Sequence, residues 1–558
     1  MNNSYPITRK NLFTLLATVL MLVLLLHLPD LVFFLKNGVY DYAVIGVVIA
    51  FILFLVPTVL FCYNLKIYYY ILAFIAALTP FAIIPVFLIN SMPNVELLGL
   101  VLETNYNEAT ELLGWWKILL ILAFIALFFI LFIKLSRKLP QKVSFKTGAI
   151  ISLAALAAFF IMPFLRSTVL EYYPGNLKKA FNTYYPFRLN NAYSYLSREL
   201  KNVENYNKAV ANFSFGAQRL DKDTGRKIHL LIIGETARHD HWSVNGYNRE
   251  TSPRLKQQTN LFTFSDVASG GPMTHLAIPL IITRADAGTY AQHQKERSIF
   301  RAYKEVGYKT FWISNQSKYG LAGHIGMHYS DADTTIFNGY GQNTKNFVGN
   351  YDSALIPMVQ SVLQTHKTDD LFIMVHTIGS HFRYLLRYPP SFTKFTPVSD
   401  RNRNLAGSIP DELLINEYDN SIFYTDFIIN QLIETVKAEG VEASITYVSD
   451  HGENLNDDKR RLYFHSYNPT KYTIKVPWFV WLSDNFIQKY PQKVQNLRDH
   501  KDLPMSTASN TFFTLLDFAN IRIRNSDDKR SIASDLFQGD EQKVLGEKGA
   551  VLLFKNIR

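Results

Sequence analysis

The stretch that decides the fold reads IHLLIIGET and covers residues 228–236. A short apolar run of this kind, ending in Gly234 and the polar Glu235 and Thr236, is typical of a buried β-strand. Similar runs occur at residues 310–313, 371–375 and 445–448, with helical stretches between them. This alternation predicts an α/β sheet with helices on both faces.

Polar side chains follow three of these four runs. Glu235 follows the first run, His376 and His381 of the HTIGSH segment follow the third, and Asp450 and His451 follow the fourth. Because the carboxyl ends of strands line the ligand crevice of a doubly wound sheet, we expect these side chains to converge on a metal or phosphate site. Taken singly, Glu235 could instead cap a helix, Asp450 could hold a turn, and each histidine could be packed or exposed.

A candidate nucleophile lies between the first two runs. Residues 269–275 read SGGPMTH and precede an apolar run at 276–282, so a Gly-rich turn enters a helix near Thr274. Backbone N–H groups and the positive end of the helix dipole favour a phosphate at such a place, next to the threonine hydroxyl. An ordinary helix cap is an equally good interpretation of Thr274 from the local sequence.

The composition excludes several classes of protein. The chain has 558 residues, a net charge of +11, 18% charged and 48% hydrophobic residues, and 13 of its 14 histidines lie after residue 170. Such a chain is not a disordered protein, and it has room for a large core. The single cysteine, Cys62, excludes an intrachain disulfide framework and zinc sites built on cysteine pairs. Metal ligands must therefore be His and carboxylate.

The N-terminal part carries five apolar runs, each near the ~20 residues that a spanning helix needs. They cover residues 12–35, 42–63, 67–89, 118–133 and 148–165. Lys and Arg flank the first run and crowd the loop at 134–146, whereas the loop at 91–116 carries four glutamates and no basic residue, which predicts a cytoplasmic N-terminus and an outward C-terminal part. Pro29, Pro57, Pro80 and Pro85 are expected to kink the spans.

Three regions follow from these patterns. We expect a transmembrane domain of five helices at 1–166, an interfacial bridge or linker at 167–224, and an outward α/β domain at 225–558. Tyrosine and lysine residues in the bridge suit the headgroup level of a bilayer, although a solvated linker helix explains them equally well.

The motifs together resemble a known family. GETARHDHWSVNGYNRETSP (residues 234–253), GGPMTHLAIP (270–279), HTIGSH (376–381) and SDHGENL (449–455) are similar to segments of the lipid-dependent phosphoethanolamine transferases of the alkaline phosphatase and sulfatase superfamily. That group includes the lipid A modifying enzymes behind polymyxin resistance. The resemblance implies a five-helix transmembrane domain in a bacterial inner membrane, followed by a periplasmic sulfatase-like α/β/α domain.

The resemblance also implies roles for individual residues. Thr274 matches the nucleophile, and Glu235, Asp450 and His451 match the remaining ligands of a tightly bound Zn²⁺. His376, His381 and His465 match histidines that hold the phosphoethanolamine group or a second zinc. Thr104, Glu108, Ser317 and Lys318 match positions that contact substrate. The chain departs from the family pattern in having Leu100 at the place of an asparagine, a longer segment ENLNDDKRRLYF before His465, and no disulfides.

The implied reaction needs a lipid donor and an envelope acceptor. Thr274 is expected to attack phosphatidylethanolamine, release diacylglycerol and hold phosphoethanolamine covalently, after which lipid A, a lipopolysaccharide core sugar or another periplasmic glycan takes the group. Membrane lipids are the expected partners of a monomeric chain that does not bind nucleic acid. Two alternatives stay open: a glycerol phosphate transferase of the lipoteichoic acid synthase type, and a noncatalytic membrane sensor with a sulfatase-like domain.

Overall fold

The computed structural model describes most of the C-terminal part and portions of the N-terminal part. The described residues are 9–36, 55–80, 82–83, 115–139, 142–165, 184–185, 187–221, 225–316, 325–338, 351–401 and 409–558. The chain forms two compact units, one of residues 1–197 with 341–345 and one of residues 198–340 with 346–558. The three-region boundaries drawn from the sequence stay a prediction.

The first unit is helical. Its helices are α1 (Arg9–Leu26), α2 (Leu28–Lys36), α3 (Leu65–Ala77), α4 (Trp115–Ser136) and α5 (Phe145–Leu165), and α6 (Phe187–Ala209) crosses the boundary at residue 197. Helices α4 and α5 coincide with the fourth and fifth predicted spans. Within the described residues, no single helix is both long and apolar enough to cross a bilayer, whereas α1 from Ala17 and α2 reach that standard as a pair.

The first predicted span is broken. Helices α1 and α2 meet at an angle of 70°. Pro29, the second residue of α2, has no backbone N–H to continue the helix, and its ring clashes with the carbonyl of the preceding turn. The predicted kink at Pro29 is therefore confirmed.

The second unit is built on a seven-stranded sheet. Its strands are β1 (Lys227–Gly234), β2 (Leu261–Thr263), β3 (Lys309–Ser314), β4 (Thr334–Phe337), β5 (Leu371–His376), β6 (Glu442–Ser449) and β7 (Trp478–Leu482), in the order β2-β7-β6-β1-β5-β3-β4. Strands β6, β1, β5, β3 and β4 are parallel, and β7 runs antiparallel between β6 and β2. All four predicted strands are present.

Helices cover both faces of this sheet. They are α7 (Thr274–Ile282), α8 (Ile299–Glu305), α9 (Leu355–Thr365), α10 (Asp411–Lys437), α11 (Lys471–Ile474), α12 (Asp484–Lys489), α13 (Pro491–Asp499) and α14 (Thr507–Phe518). Successive side chains of β1 point to opposite faces, so Leu231 and Ile233 join a core with α7, α8 and α14, while Leu230 and Ile232 join a core with α9 and α10. The predicted α/β architecture is confirmed.

The topology determines where a site can form. The central parallel strands end at one edge of the sheet, and β1 lies between β6 and β5. Their last residues are therefore neighbours, with Gly234 in register with Ser449 and Ile233 in register with His376. Residues more than two hundred positions apart come together at this edge.

Candidate active site

Glu235 is held rigidly at the end of β1. Its backbone carbonyl accepts a hydrogen bond from Ser380 N at 2.9 Å, and its side chain is buried. The next residue, Thr236, has a φ of 61° and donates its hydroxyl to Glu235 Oε1 at 2.6 Å. Gly379 packs so closely that a Cβ there would lie 2.8 Å from the carbonyl oxygen of Glu235. Only glycine fits at this place, and the positive φ of 46° at Gly379 likewise favours a residue without a Cβ.

Asp450 and His451 follow β6 and are oriented by the backbone. Asp450 Oδ1 accepts hydrogen bonds from Thr236 N at 3.1 Å and from His451 N at 2.7 Å. His451 Nδ1 lies 2.8 Å from the carbonyl oxygen of Gly452, a distance that assigns the proton to Nδ1. Nε2 of His451 therefore presents its lone pair to the site.

Thr274 begins α7 and faces these side chains. Its Oγ1 lies 3.1 Å from Glu235 Oε2, 3.3 Å from Glu235 Oε1 and 3.2 Å from His451 Nε2. His451 Nε2 lies 3.4 Å from Glu235 Oε1 and 3.5 Å from Asp450 Oδ2. The structure thus brings the three strand-end residues and the threonine into one buried cluster.

The cluster has the donor set of a metal site. One ligand atom each from Glu235, Asp450 and His451 can be chosen so that all three lie within 4.8 Å of one another. Asp450 Oδ2 is buried and makes no hydrogen bond. A buried carboxylate oxygen without a donor is costly unless a cation meets it, so the residues fit a divalent ion, with the Thr274 hydroxyl as a fourth ligand.

The two carboxylates have opposite electrostatic surroundings. Burial alone would raise the pKa of Glu235, but its electrostatic interactions with His451 and His381 and the hydrogen bond from Thr236 lower it. Burial and the neighbouring Glu235 charge raise the pKa of Asp450 well above its ordinary value. Two adjacent buried carboxylates disfavour each other's ionised form, and a divalent cation between them would offset that repulsion.

The three further histidines line the same place. His376 ends β5 fully buried, its Nε2 makes no hydrogen bond, and burial lowers its pKa to about 4. The His465 ring lies 4.1 Å from the His451 ring and 6.3 Å from the His381 ring, measured between centroids. Burial lowers the pKa of His381, whose Nδ1 lies 2.7 Å from the carbonyl oxygen of Phe382.

Several supporting residues were missed from the sequence. Gln316 donates to Glu235 Oε2 at 2.8 Å and to the carbonyl oxygen of Thr377 at 2.9 Å. It lies two residues past the end of β3, so the rule that selected the other strand ends could have found it. Glu453 accepts from Tyr384 and lies 3.1 Å from His465 Nδ1, while Asp352 accepts the backbone N–H groups of Ile378 and Gly379.

Four predicted substrate contacts cannot be placed. Thr104, Glu108, Ser317 and Lys318 lie outside the described residues. Their roles stay predictions.

Comparison with known proteins identifies the family of the α/β part of the chain. The family model described as Sulfatase matches residues 227–517. The chain belongs to the sulfatase family. Within that family, the chain is 26% identical over 509 residues to a phosphoethanolamine transferase, EptC, of Escherichia coli K12, which covers 87% of this chain and 85% of that protein. The predicted resemblance to phosphoethanolamine transferases is thereby confirmed.

Solved structures agree with this assignment. A crystal structure of the periplasmic domain of E. coli EptC in complex with Zn has 26% identity and a TM-score of 0.54, and covers 61% of this chain and 96% of that one. The integral membrane protein EptA of Neisseria meningitidis, at 21% identity and a TM-score of 0.51, covers 92% of this chain and 98% of that one. The second likeness shows the fold alone.

Proposed function

We propose that this sulfatase family member transfers phosphoethanolamine from phosphatidylethanolamine to a cell-envelope acceptor. The observation that carries the proposal is the Thr274 hydroxyl, which lies within 3.3 Å of Glu235 and His451 in a buried cluster that fits a cation. The EptC relative is named for this reaction, and its structural neighbour holds Zn.

The proposed metal is Zn²⁺, held by Glu235, Asp450, His451 and the Thr274 oxygen. Two carboxylates, one imidazole and one hydroxyl make the four-coordinate set that zinc prefers. When bound, zinc would lower the pKa of the threonine hydroxyl and offset charge on a phosphoryl oxygen. Gly452 and Thr236 fix the orientation of His451 and Glu235, because hydrogen bonds to the outer side of a ligand set its geometry.

The first step would be an attack by Thr274 Oγ1 on the phosphorus of the donor. The bond from phosphorus to the glycerol oxygen breaks, diacylglycerol leaves as the alcohol, and phosphoethanolamine stays on Thr274. The Thr274 hydroxyl gives up its proton in this step, and His465, whose Nδ1 lies 3.1 Å from Glu453 Oε1, is the candidate to take up that proton and pass it to the leaving glycerol oxygen. His376 and His381 are the candidates to hold the phosphoryl oxygens; all three histidines could alternatively hold a second zinc.

The second step would return Thr274 to its free form. A hydroxyl or phosphate oxygen of the acceptor attacks the phosphorus, and the bond to Thr274 Oγ1 breaks. Lipid A, a lipopolysaccharide core sugar and another periplasmic glycan are the acceptor classes we propose. The donor's acyl chains require a site at the membrane, so we place the chain in a bacterial inner membrane as a multi-pass monomer with its α/β unit in the periplasm.

A donor comparison tests the proposal. The purified full chain in lipid nanodiscs is expected to release diacylglycerol from phosphatidylethanolamine, and mass spectrometry is expected to find phosphoethanolamine on lipid A or core oligosaccharide only in cells that carry the gene. Release from phosphatidylglycerol instead would identify a glycerol phosphate transferase. Release from neither donor, with the modification unchanged by Thr274→Ala in cells, would favour the noncatalytic sensor.

A further inference from the structure

An exposed hairpin lies beside the candidate active site. The hairpin covers residues 454–464: two short antiparallel strands, Asn454–Leu455 and Tyr463–Phe464, are joined by a turn. The second strand leads directly into His465. This is the segment that is longer than the family pattern predicts. The function proposed above makes no use of it.

The second strand of the hairpin and the residues beside it present apolar and aromatic side chains to the surface. Leu462 is 40% exposed, Tyr463 39%, Phe464 40% and the nearby Tyr467 47%. Four large side chains with apolar bodies are thus partly exposed within six positions, and an exposed apolar patch on a folded protein marks an interaction surface. Tyr463 donates its hydroxyl to Asp411 Oδ1 at 2.9 Å, and its ring stays partly on the surface.

Positive charge borders the patch. Asp457 pairs with Arg238 at 2.5 Å and Asp458 pairs with Arg460 at 2.7 Å. These two ion pairs do not use Lys459 and Arg461, which are exposed next to Leu462. Aromatic side chains with adjacent lysine and arginine are the combination that rests at the level of phospholipid headgroups.

The patch is attached to the site on two sides. The Phe464 ring packs against Phe382, the residue after His381, with centroids 4.5 Å apart. Tyr467 Oη lies 3.2 Å from Nε2 of His275, the residue after Thr274. A surface that holds the hairpin would therefore lie beside the nucleophile.

We propose that residues 459–464 and Tyr467 form a lipid-contacting rim of the active site. Leu462, Tyr463, Phe464 and Tyr467 lie at the boundary between headgroups and acyl chains, and Lys459 and Arg461 bind the phosphates of anionic phospholipids. This inference rests on the proposed function, because a donor that stays in the bilayer needs the site to meet it there. A protein partner is the competing occupant.

A spin label tests the lipid contact without any reference to activity. In a Cys62→Ser background, which removes the single cysteine, Leu462→Cys is labelled in the full chain in nanodiscs of phosphatidylethanolamine and phosphatidylglycerol. The label is expected to collide with oxygen more than with an aqueous nickel complex. The matched control is Leu536→Cys, which replaces a leucine 50% exposed outside the rim and is expected to report water. A label at 462 as accessible to nickel as the label at 536 would overturn the proposal and favour a protein partner.

Kinetics test the same contact independently. Leu462→Asp is expected to raise the KM for donor in the bilayer about tenfold, while Leu536→Asp leaves it unchanged. The double variant Lys459→Glu and Arg461→Glu reverses both positive charges. It is expected to raise the KM for the donor about tenfold at low ionic strength and less at high ionic strength. An unchanged KM in these rim variants would refute the rim. Absence of transfer by the native chain would refute the proposed function only, because the spin label would still decide the lipid contact.

Discussion

Two buried carboxylates of the second unit, Asp331 beside His328 and Asp450 beside His451, differ in how their oxygens are hydrogen-bonded. Asp331 accepts hydrogen bonds from Ser298 N and Oγ, both at 2.7 Å, from Tyr206 at 2.9 Å and from Arg297 at 2.8 Å. Asp450, buried to the same degree, leaves Oδ2 without a hydrogen bond. The first carboxylate is satisfied by the protein alone, whereas the second is not.

The difference separates a structural cluster from a functional one. Burial would raise the pKa of Asp331, but hydrogen bonds and charge from His328 and Arg297 lower it to about 2. Burial beside Glu235 instead raises the pKa of Asp450. A buried acid that the protein does not stabilise as an anion fits the ligand set of a cation, and perturbed groups of this kind concentrate at functional sites.

The largest expected effect is loss of the nucleophile. Thr274→Ala should lower transfer at least about a thousandfold, because no other hydroxyl among the described residues contacts both Glu235 and His451. Thr274→Ser, which keeps the hydroxyl, should retain part of the activity. Diacylglycerol release measures both, and an alanine variant with native activity would exclude the covalent scheme.

Metal removal should affect the cluster around Asp450 and not the one around Asp331. Chelation is expected to stop turnover and to lower the thermal midpoint of the native chain, and added Zn²⁺ should restore both. In Asp450→Asn, chelation should leave the midpoint unchanged because a ligand is missing. Full activity in a preparation shown to be metal-free would contradict the site.

The stability of metal-free variants should show the contrast between the clusters directly. Asp331→Asn is expected to lower the free energy of unfolding by about 3 kcal/mol, because it removes the buried anion with which Arg297 pairs. Asp450→Asn should change it by less than about 1 kcal/mol, since the amide resembles the protonated acid. Denaturant titration measures the free energy of unfolding of the two variants. Equal losses in Asp331→Asn and Asp450→Asn would contradict the distinction between a structural and a functional cluster.

The pH dependence sharpens the same comparison. The pKa of Asp331 falls from its ordinary 3.8 to about 2 on folding, so its stabilisation is present above pH 3.8 and is lost as the pH falls through 2. The contribution near neutral pH is about 2 kcal/mol. The stability gap between the native chain and Asp331→Asn should narrow over this window. A stability gap that does not change with pH would refute the lowered pKa of Asp331 in the folded chain.

A supporting contact should have the smallest effect. Gln316→Ala removes the donor to Glu235 Oε2 and is expected to lower activity about tenfold, with weaker zinc binding. Gln258, which donates to Asn430 and Glu434 near the surface, offers a matched control in Gln258→Ala. Equal activity in the two variants would show that Gln316 is not needed.

The sheet and the strand-end residues could be predicted from the sequence because both follow from short-range pattern and topology. Runs of apolar residues identified β1, β3, β5 and β6, and the rule for carboxyl ends brought Glu235 and Asp450 to one edge. Thr274 required the resemblance as well, since a helix cap explained it equally well. The convergence of these residues is what the structure adds.

Other features depended on contacts that no local pattern encodes. Glu453 acts through Tyr384 and His465, which lie more than ten residues away, and Gly379 is required only because Glu235 packs against it. The first span was expected as one stretch and is bent at Pro29, where the proline indicated a kink but not its angle. The unsatisfied oxygen of Asp450 becomes visible only when every neighbour is placed.

The covalent intermediate tests the central claim most directly. The purified full chain with zinc and phosphatidylethanolamine, without acceptor, is digested and its peptides are weighed by mass spectrometry. We predict phosphoethanolamine on Thr274 and on no other residue, and none in Thr274→Ala. Sustained diacylglycerol release with Thr274 unmodified, or the adduct on a different side chain, would contradict the account.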